Sequence, residues 1–245
     1  MSASTRQLVG VGVGPGDPEL VTVKAVRVLQ EADLVLVPTM DLDGVGRAER
    51  TVRAHVTHDR LRRLYFALNE RDDRIRREAA WDEAGAAVRA AFDGGATMVA
   101  FATIGDPNIY STFSYLDETA RRLVPGLSVS TVPGITAMQQ LAAASGVPLV
   151  EGEETLTLYP LTAGLHGYRE ALRHSDAVVA YKGGRHLPAV VRILRDEGRV
   201  AHAVVGADLG LPDERVLAAA DVGTPLAYLS TVLAPPGART RGGRL

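Results

Sequence analysis

The chain is 245 residues long, enough for two modest domains that each bury a core, and 46% hydrophobic against 23% charged residues is the balance of a folded protein. Its formal charge of -2 supplies no global positive field of the kind that gathers nucleic acid or anionic membrane by counterion release. The absence of cysteine excludes disulfides, zinc–thiolate sites and thiol catalysis.

Residues 7–13 are a short, β-branched, glycine-punctuated run that breaks at Gly14-Pro15-Gly16-Asp17-Pro18, which predicts a buried strand ending in a loop. Over 22–32, Val23, Val26 and Leu29 recur at helical spacing behind Thr22, a residue type that caps exposed amides. Residues 33–38 read as a second buried strand, and strand, helix, strand at this spacing predicts a right-handed parallel crossover. The stretch 41–77 is crowded with arginine interleaved with acids, a mixture that predicts a solvated helical surface. A helix over 75–92, carrying Trp81 and Val88, leads into a third buried strand at 97–103 that stops at Gly105-Asp106-Pro107. A helix from Ser111 or Thr112 to Leu123 and an alternating strand at 127–132 follow, then Pro133-Gly134 and a helix over 136–145.

After Gly146-Val147-Pro148 the pattern restarts, so the chain is expected to be α/β with two domains, 1–148 with a parallel sheet and 149–245 with a mixed one. Strands are expected at 154–159, 176–181, 201–205 and 226–233, with a helix over 187–197. Strict alternation at 154–159 predicts one face that is wet or packed on a different layer. The basic, glycine-rich tail from Pro235 is expected to be loose.

Three strands of the first half end in glycine–proline loops, Gly14-Pro15-Gly16-Asp17-Pro18, Gly105-Asp106-Pro107 and Pro133-Gly134-Ile135-Thr136. Ligands of open α/β sheets bind at the carboxyl ends of strands, so these loops are expected to share one rim. Glycine permits close approach of backbone to a ligand and proline fixes the loop's shape. Gly10, Gly12 and Gly14 suggest a dinucleotide fingerprint, with Asp41 as the ribose-binding acid. The third fingerprint glycine, counted from Gly12 and Gly14, falls on Asp17, a carboxylate that would repel a pyrophosphate. S-adenosylmethionine, which carries no phosphate, fits better: the amides of the helix starting near Thr136 suit its carboxylate and the loop backbones its amine and adenine.

The stretch from Val9 to Leu20, with Thr22, Lys24 and Ala25 beyond it, resembles the opening of the tetrapyrrole (corrin/porphyrin) methylases. Thr103-Ile104-Gly105-Asp106-Pro107-Asn108-Ile109-Tyr110-Ser111-Thr112-Phe113-Ser114-Tyr115-Leu116 resembles that family's precorrin-2 C20-methyltransferase branch, and Val132-Pro133-Gly134-Ile135-Thr136-Ala137 its third motif. The resemblance implies two α/β domains with S-adenosylmethionine in the cleft between them, usually in a homodimer. It implies cofactor contacts at Pro15, Ile104, Gly105, Asp106, Ile109, Thr136 and Ala137, at Lys182 in Tyr181-Lys182-Gly183, and at Ala207 and Thr231 in weaker matches. The substrate would be a tetrapyrrole, met by Asp17, Tyr110 and Ser111. The chain departs from many relatives of this branch at Tyr65-Phe66-Ala67-Leu68, where they have Phe-Pro-Met, and at Asn108-Ile109, where bulky apolar residues are commoner. Both departures lie toward the expected substrate side.

Methylation of an electron-rich bridge carbon needs alignment, a dry pocket and a proton acceptor, and no covalent nucleophile or metal. No catalytic residue is assigned: Asp17 and Asp106 each suit the role of proton acceptor, but their positions before proline favour that of turn or helix cap. Tyr110 and Tyr115 suit stacking on a macrocycle or helix packing. His166, His174, His186 and His202 show no metal-ligand spacing. Lysine occurs only as Lys24 and Lys182, so a substrate's carboxylates would meet arginine forks, although which arginines face it is not legible. Residues 1–7 carry no apolar core and no run of about 18 apolar residues follows, so a cytoplasmic location is expected, with no membrane or nucleic-acid partner. Competing readings are methylation of another tetrapyrrole position, of diphthine or of rRNA ribose, a nucleotide-binding reductase, and a catalytically silent binding module.

Overall fold

The apolar run near the N-terminus forms β1 (Gln7–Gly12), buried from Leu8 onward. The computed structural model describes residues 6–40, 43–66, 74–237 and 239; Asp41, Ala67 and Leu68 lie outside them. Thr22 Oγ1 accepts the Ala25 amide at 3.2 Å and starts α1 (Val23–Glu31), as its residue type predicts. The buried face of α1 is Ala25, Val28 and Leu29, whereas Val23 is 88% exposed. The helical period is as expected but its phase is rotated, because Ala25, Val28, Leu29 and Ala32 make the i, i+3, i+4, i+7 stripe.

β2 (Leu34–Thr39), α2 (Arg47–Val52), β3 (Leu61–Tyr65), α3 (Arg74–Asp93), β4 (Met98–Thr103), α4 (Phe113–Leu123) and β5 (Ser128–Val132) complete a first unit, Met1–Thr136. Its sheet runs β3-β2-β4-β1-β5, and every pairing is parallel. The arginine-rich stretch is therefore not simply a solvated helical surface: Leu61–Tyr65 pairs with Val35–Thr39 as the sheet's edge strand. Alternation sends Leu8, Leu36, Val99 and Phe101 to the face covered by Val88, Phe92, Phe113 and Leu116, and Val9, Val11, Val35 and Ala102 to the face covered by Leu29 and Val52. Fully burying each large apolar side chain contributes about 1.5–3 kcal/mol. Gly10 is required by this packing, since a Cβ there would lie 2.6 Å from the ring of Phe113.

The second unit, Ala137–Leu245, begins with α5 (Ala137–Ser145). Leu141 of α5 is fully buried against Val179, Leu209 and Leu233. β6 (Leu156–Pro160), α6 (Leu165–His174), β7 (Ala177–Tyr181), α7 (Leu187–Asp196), β8 (Val204–Ala207), β9 (Arg215–Ala218) and β10 (Thr231–Ala234) follow. The sheet order is β6-β7-β10-β8-β9, with β6 and β7 parallel and the other pairs antiparallel. α6 and β9 were not expected from the sequence pattern, and β8 and β10 lie closer to the C-terminus than their apolar runs suggest. Both faces of β6 are packed, Leu156 and Leu158 beside the α5 cluster and Tyr159 against the opposite core.

The tail is not loose at its start. Pro235 is buried and its carbonyl accepts from Arg199 at 2.8 Å, while Arg239 donates to Glu154 at 2.7 Å and to the Pro148 carbonyl at 3.0 Å. Among the described residues no helix is long and apolar enough to cross a membrane.

Candidate functional site

The three glycine–proline corners of the first unit meet. Beyond β1 and β4 the Val13 amide donates to the Thr103 carbonyl at 2.9 Å, and the Gly105 amide to the Gly14 carbonyl at 2.8 Å. Gly14 and Gly105 hold φ of 75° and 70°, the left-handed region that glycine enters without strain. A Cβ on Gly12 would lie 2.5 Å from the Gly105 carbonyl oxygen and 2.6 Å from the Gly134 nitrogen, so the backbones of all three corners touch there.

Asp106 ties the second corner to the third. It is 8% exposed; its Oδ2 accepts the Gly134 amide at 3.0 Å and its Oδ1 the Asn108 amide at 2.8 Å. Thr136, 4% exposed, follows on the Gly105 side. Pro15 is buried within the first corner, and half-buried Ile104 packs beside the α1-side core. The Ile109 amide donates to the Asp106 carbonyl at 3.3 Å. The expected rim thus exists as a hydrogen-bonded structure.

The residues expected on the substrate side behave differently from one another. Asp17 caps the turn Pro18–Leu20, with Oδ1 accepting the Glu19 amide at 2.9 Å. The Ser111 hydroxyl donates to Thr103 Oγ1 and accepts the Phe113 amide, each at 3.1 Å, so it shapes the start of α4. Tyr110 is exposed and sits at φ 50°, a backbone state that costs a non-glycine residue about 1–3 kcal/mol. Tyr115 is a packing residue, stacked on Trp81 with centroids 4.5 Å apart and planes 12° apart.

In the second unit, β7 and β8 run in the same direction and β10 runs against both, so Lys182 after β7, Ala207 at the end of β8 and Thr231 at the start of β10 lie at one end of the sheet. Thr231 pairs with Gly206, and the Gly183 amide donates to the Ser230 carbonyl at 3.4 Å. Lys182 and Asp208 hold φ of 61° and 54°, so two strained residues mark this end. Thr231 is fully buried and its hydroxyl has no hydrogen-bond partner among the described residues. Buried hydroxyls are nearly always satisfied, so an orphan here is a place to look for a ligand atom. Ala137 is the first residue of α5.

Residues 7–223 match the model of the Tetrapyrrole (Corrin/Porphyrin) Methylases. The chain belongs to the tetrapyrrole methylase family. It is 36% identical to a precorrin-2 C(20)-methyltransferase of Sinorhizobium sp over 205 residues, 81% of this chain and 82% of that one. It is 29% identical to a cobalt-precorrin-2 C(20)-methyltransferase of Salmonella typhimurium over 231 residues, 93% and 95% of the two chains. Among solved structures it has the fold of a uroporphyrin-III C-methyl transferase from Thermus thermophilus complexed with S-adenosyl homocysteine, with a TM-score of 0.66 and 22% identity over 93% of this chain and 97% of that one.

This tetrapyrrole methylase holds its first corner with residues that the sequence pattern did not single out. Thr51 on α2 donates to the Gly16 carbonyl at 3.0 Å, and His55 Nε2 lies 3.1 Å from the Pro18 carbonyl. Beneath them Glu49, 3% exposed, receives Arg63 through Nε at 2.7 Å and Arg53 through Nη2 at 2.6 Å. Burial pushes the Glu49 carboxyl up, but the bonds and charges of Arg63 and Arg53 outweigh it and hold the carboxyl below its ordinary value. The signal available in the sequence was the spacing of Ala48, Thr51 and Val52, a small buried face among exposed arginines.

Proposed function

We propose that this tetrapyrrole methylase transfers a methyl group from S-adenosylmethionine to C20 of precorrin-2 or its cobalt complex. The observation that carries the reading is its likeness, over most of both chains, to the precorrin-2 C(20)-methyltransferase of Sinorhizobium sp. The residues present suit the methyl donor. Gly12 and Gly134 form a cradle with no room for a Cβ, Gly105 beside them holds a φ of 70°, and the buried Thr231 hydroxyl lacks a protein partner among the described residues. Pro15, Ile104, Gly105, Asp106, Ile109, Thr136 and Ala137, with Lys182, Ala207 and Thr231, are the proposed donor contacts.

The bound donor supplies an electrophilic methyl on a sulfonium, while the tetrapyrrole's ring nitrogens make the bridge carbon nucleophilic. The protein's task is to orient the two and exclude water; orientation alone is worth about 7 kcal/mol or more of the barrier. Asp106 has both carboxylate oxygens held by loop amides, which suits it to shaping the corner. Asp17 has one oxygen on the Glu19 amide, and we assign the second to accepting the proton that leaves the methylated carbon. Tyr110 is the proposed stacking surface for the macrocycle. A homodimer in the cytoplasm belongs to the same reading.

Calorimetric titration of the purified protein with S-adenosylhomocysteine and with NADPH tests the donor assignment. Binding of the former alone is expected; binding of NADPH alone would remove the methyltransferase reading.

A further inference from the structure

Pro15 is flanked by two glycines whose backbones move readily, so its position depends on what holds their carbonyls. On one side the Gly14 carbonyl is held by the Gly105 amide at 2.8 Å. On the other the Gly16 carbonyl is held by Thr51, a fully buried side chain. A helical threonine ordinarily returns its hydroxyl to the carbonyl four residues back. Here that acceptor, Arg47 O, is 3.3 Å away while Gly16 O is 3.0 Å away, so the loop is the nearer partner.

His55, just beyond α2, repeats the contact on the next turn: a carbonyl only accepts, so the Nε2 facing Pro18 O at 3.1 Å carries the proton. The backbone around His55 is itself anchored, since its carbonyl accepts from Gln30 Nε2 at 3.4 Å. α2 is tied in turn to the edge strand, where Arg63 of β3 makes a two-point ion pair with Glu49 at 2.7 and 3.0 Å. A chain of specific contacts therefore runs from β3 through Glu49 and α2 to the back of the first corner.

We propose that Thr51 is a positioning residue for the methyl donor, fixing the Gly16 carbonyl so that Pro15 is set from both flanks, with His55 steadying the same corner at Pro18. The inference rests on the donor reading above. It assigns α2, a helix within the arginine-rich stretch, a task in cofactor binding although none of its side chains need touch the cofactor.

The test is S-adenosylhomocysteine affinity by calorimetry, with melting temperature measured on the same samples, for the unaltered protein, Thr51→Val, Thr51→Ser, His55→Ala and His55→Gln. Thr51→Val keeps the shape and removes the donor, and is expected to weaken binding about tenfold, whereas Thr51→Ser keeps the hydroxyl and stays within about twofold. His55→Ala is expected to weaken binding about threefold, and His55→Gln, which retains an N–H, to recover most of it. A Thr51→Val protein that melts lower but binds as tightly as the unaltered one overturns the proposal, because a purely structural role moves only melting. If Thr51→Val does not fold, half-buried His55 carries the test, and affinity unchanged in His55→Ala overturns it. Failure of the unaltered protein to bind removes the donor reading itself, a result distinct from equal binding by all variants.

Discussion

The Gly105 amide donates to the Gly14 carbonyl at 2.8 Å, joining the ends of β1 and β4, and Gly12 and Gly134 pack against that junction with no room for a side chain. The two strands lie side by side in the sheet, so their loops leave it as neighbours. What glycine adds is closeness of backbone to backbone, which presents main-chain polar groups at one rim.

Gly12→Ala places a methyl 2.5 Å from one backbone atom and 2.6 Å from another, neither of which yields as a flexible side-chain tip would. Stability in urea should fall by about 3 kcal/mol, the upper end of ordinary overpacking, and S-adenosylhomocysteine binding should be lost. Gly223→Ala, with nothing within 4 Å of the added carbon, is the control and should be neutral or slightly stabilising.

The Thr231 hydroxyl is buried without a partner among the described residues. Thr231→Val should leave the unliganded protein as stable or raise its stability by about 1 kcal/mol, since a desolvated hydroxyl is removed. Donor affinity should fall about tenfold in the same variant. Thermal melts with and without S-adenosylhomocysteine separate the two effects.

Asp106→Asn replaces one of two acceptor oxygens with an amide nitrogen that must face the Gly134 or Asn108 N–H. A loss of about 1.5–3 kcal/mol is expected, the range of hydrogen bonds to charged groups, together with weaker donor binding. Chemical denaturation at pH 7 checks the stability change.

The Glu49 carboxyl is held below its ordinary 4.5 by Arg63 and Arg53 against the opposing push of burial. Its contribution to stability is therefore fully present above pH 4.5 and is lost as pH falls through the lower folded value. Denaturant midpoints taken from pH 6 downward should drop more steeply for the unaltered protein than for Glu49→Gln. At pH 7 Glu49→Gln should be less stable by about 2 kcal/mol, a reduced version of the cost of breaking a buried pair, because Arg53 and Arg63 remain partly exposed.

Much of the first unit was legible because its central strands carry almost no polar residues and end in glycine and proline, signals local to a few residues. β3 was not, since an edge strand pairs on one side only and Arg62 and Arg63 dominate its composition. The phase of α1 was misread because alanine weighs little in a hydrophobic pattern, yet Ala25 and Ala32 are fully buried while Val23 faces solvent. At the site, the corners themselves were readable, but the hold of Thr51 on Gly16 and of Asp106 on Gly134 spans chain segments that only the fold brings together. The orphan hydroxyl of Thr231 has no counterpart in sequence at all, because being unpartnered is a property of its surroundings.

The most direct measurement is the product formed from S-adenosylmethionine and enzymatically made precorrin-2, identified by mass spectrometry and by NMR of the labelled methyl. The account predicts the gain of one methyl group, located at C20. A product methylated at another position, or an unchanged tetrapyrrole from protein that demonstrably binds the donor, would contradict it.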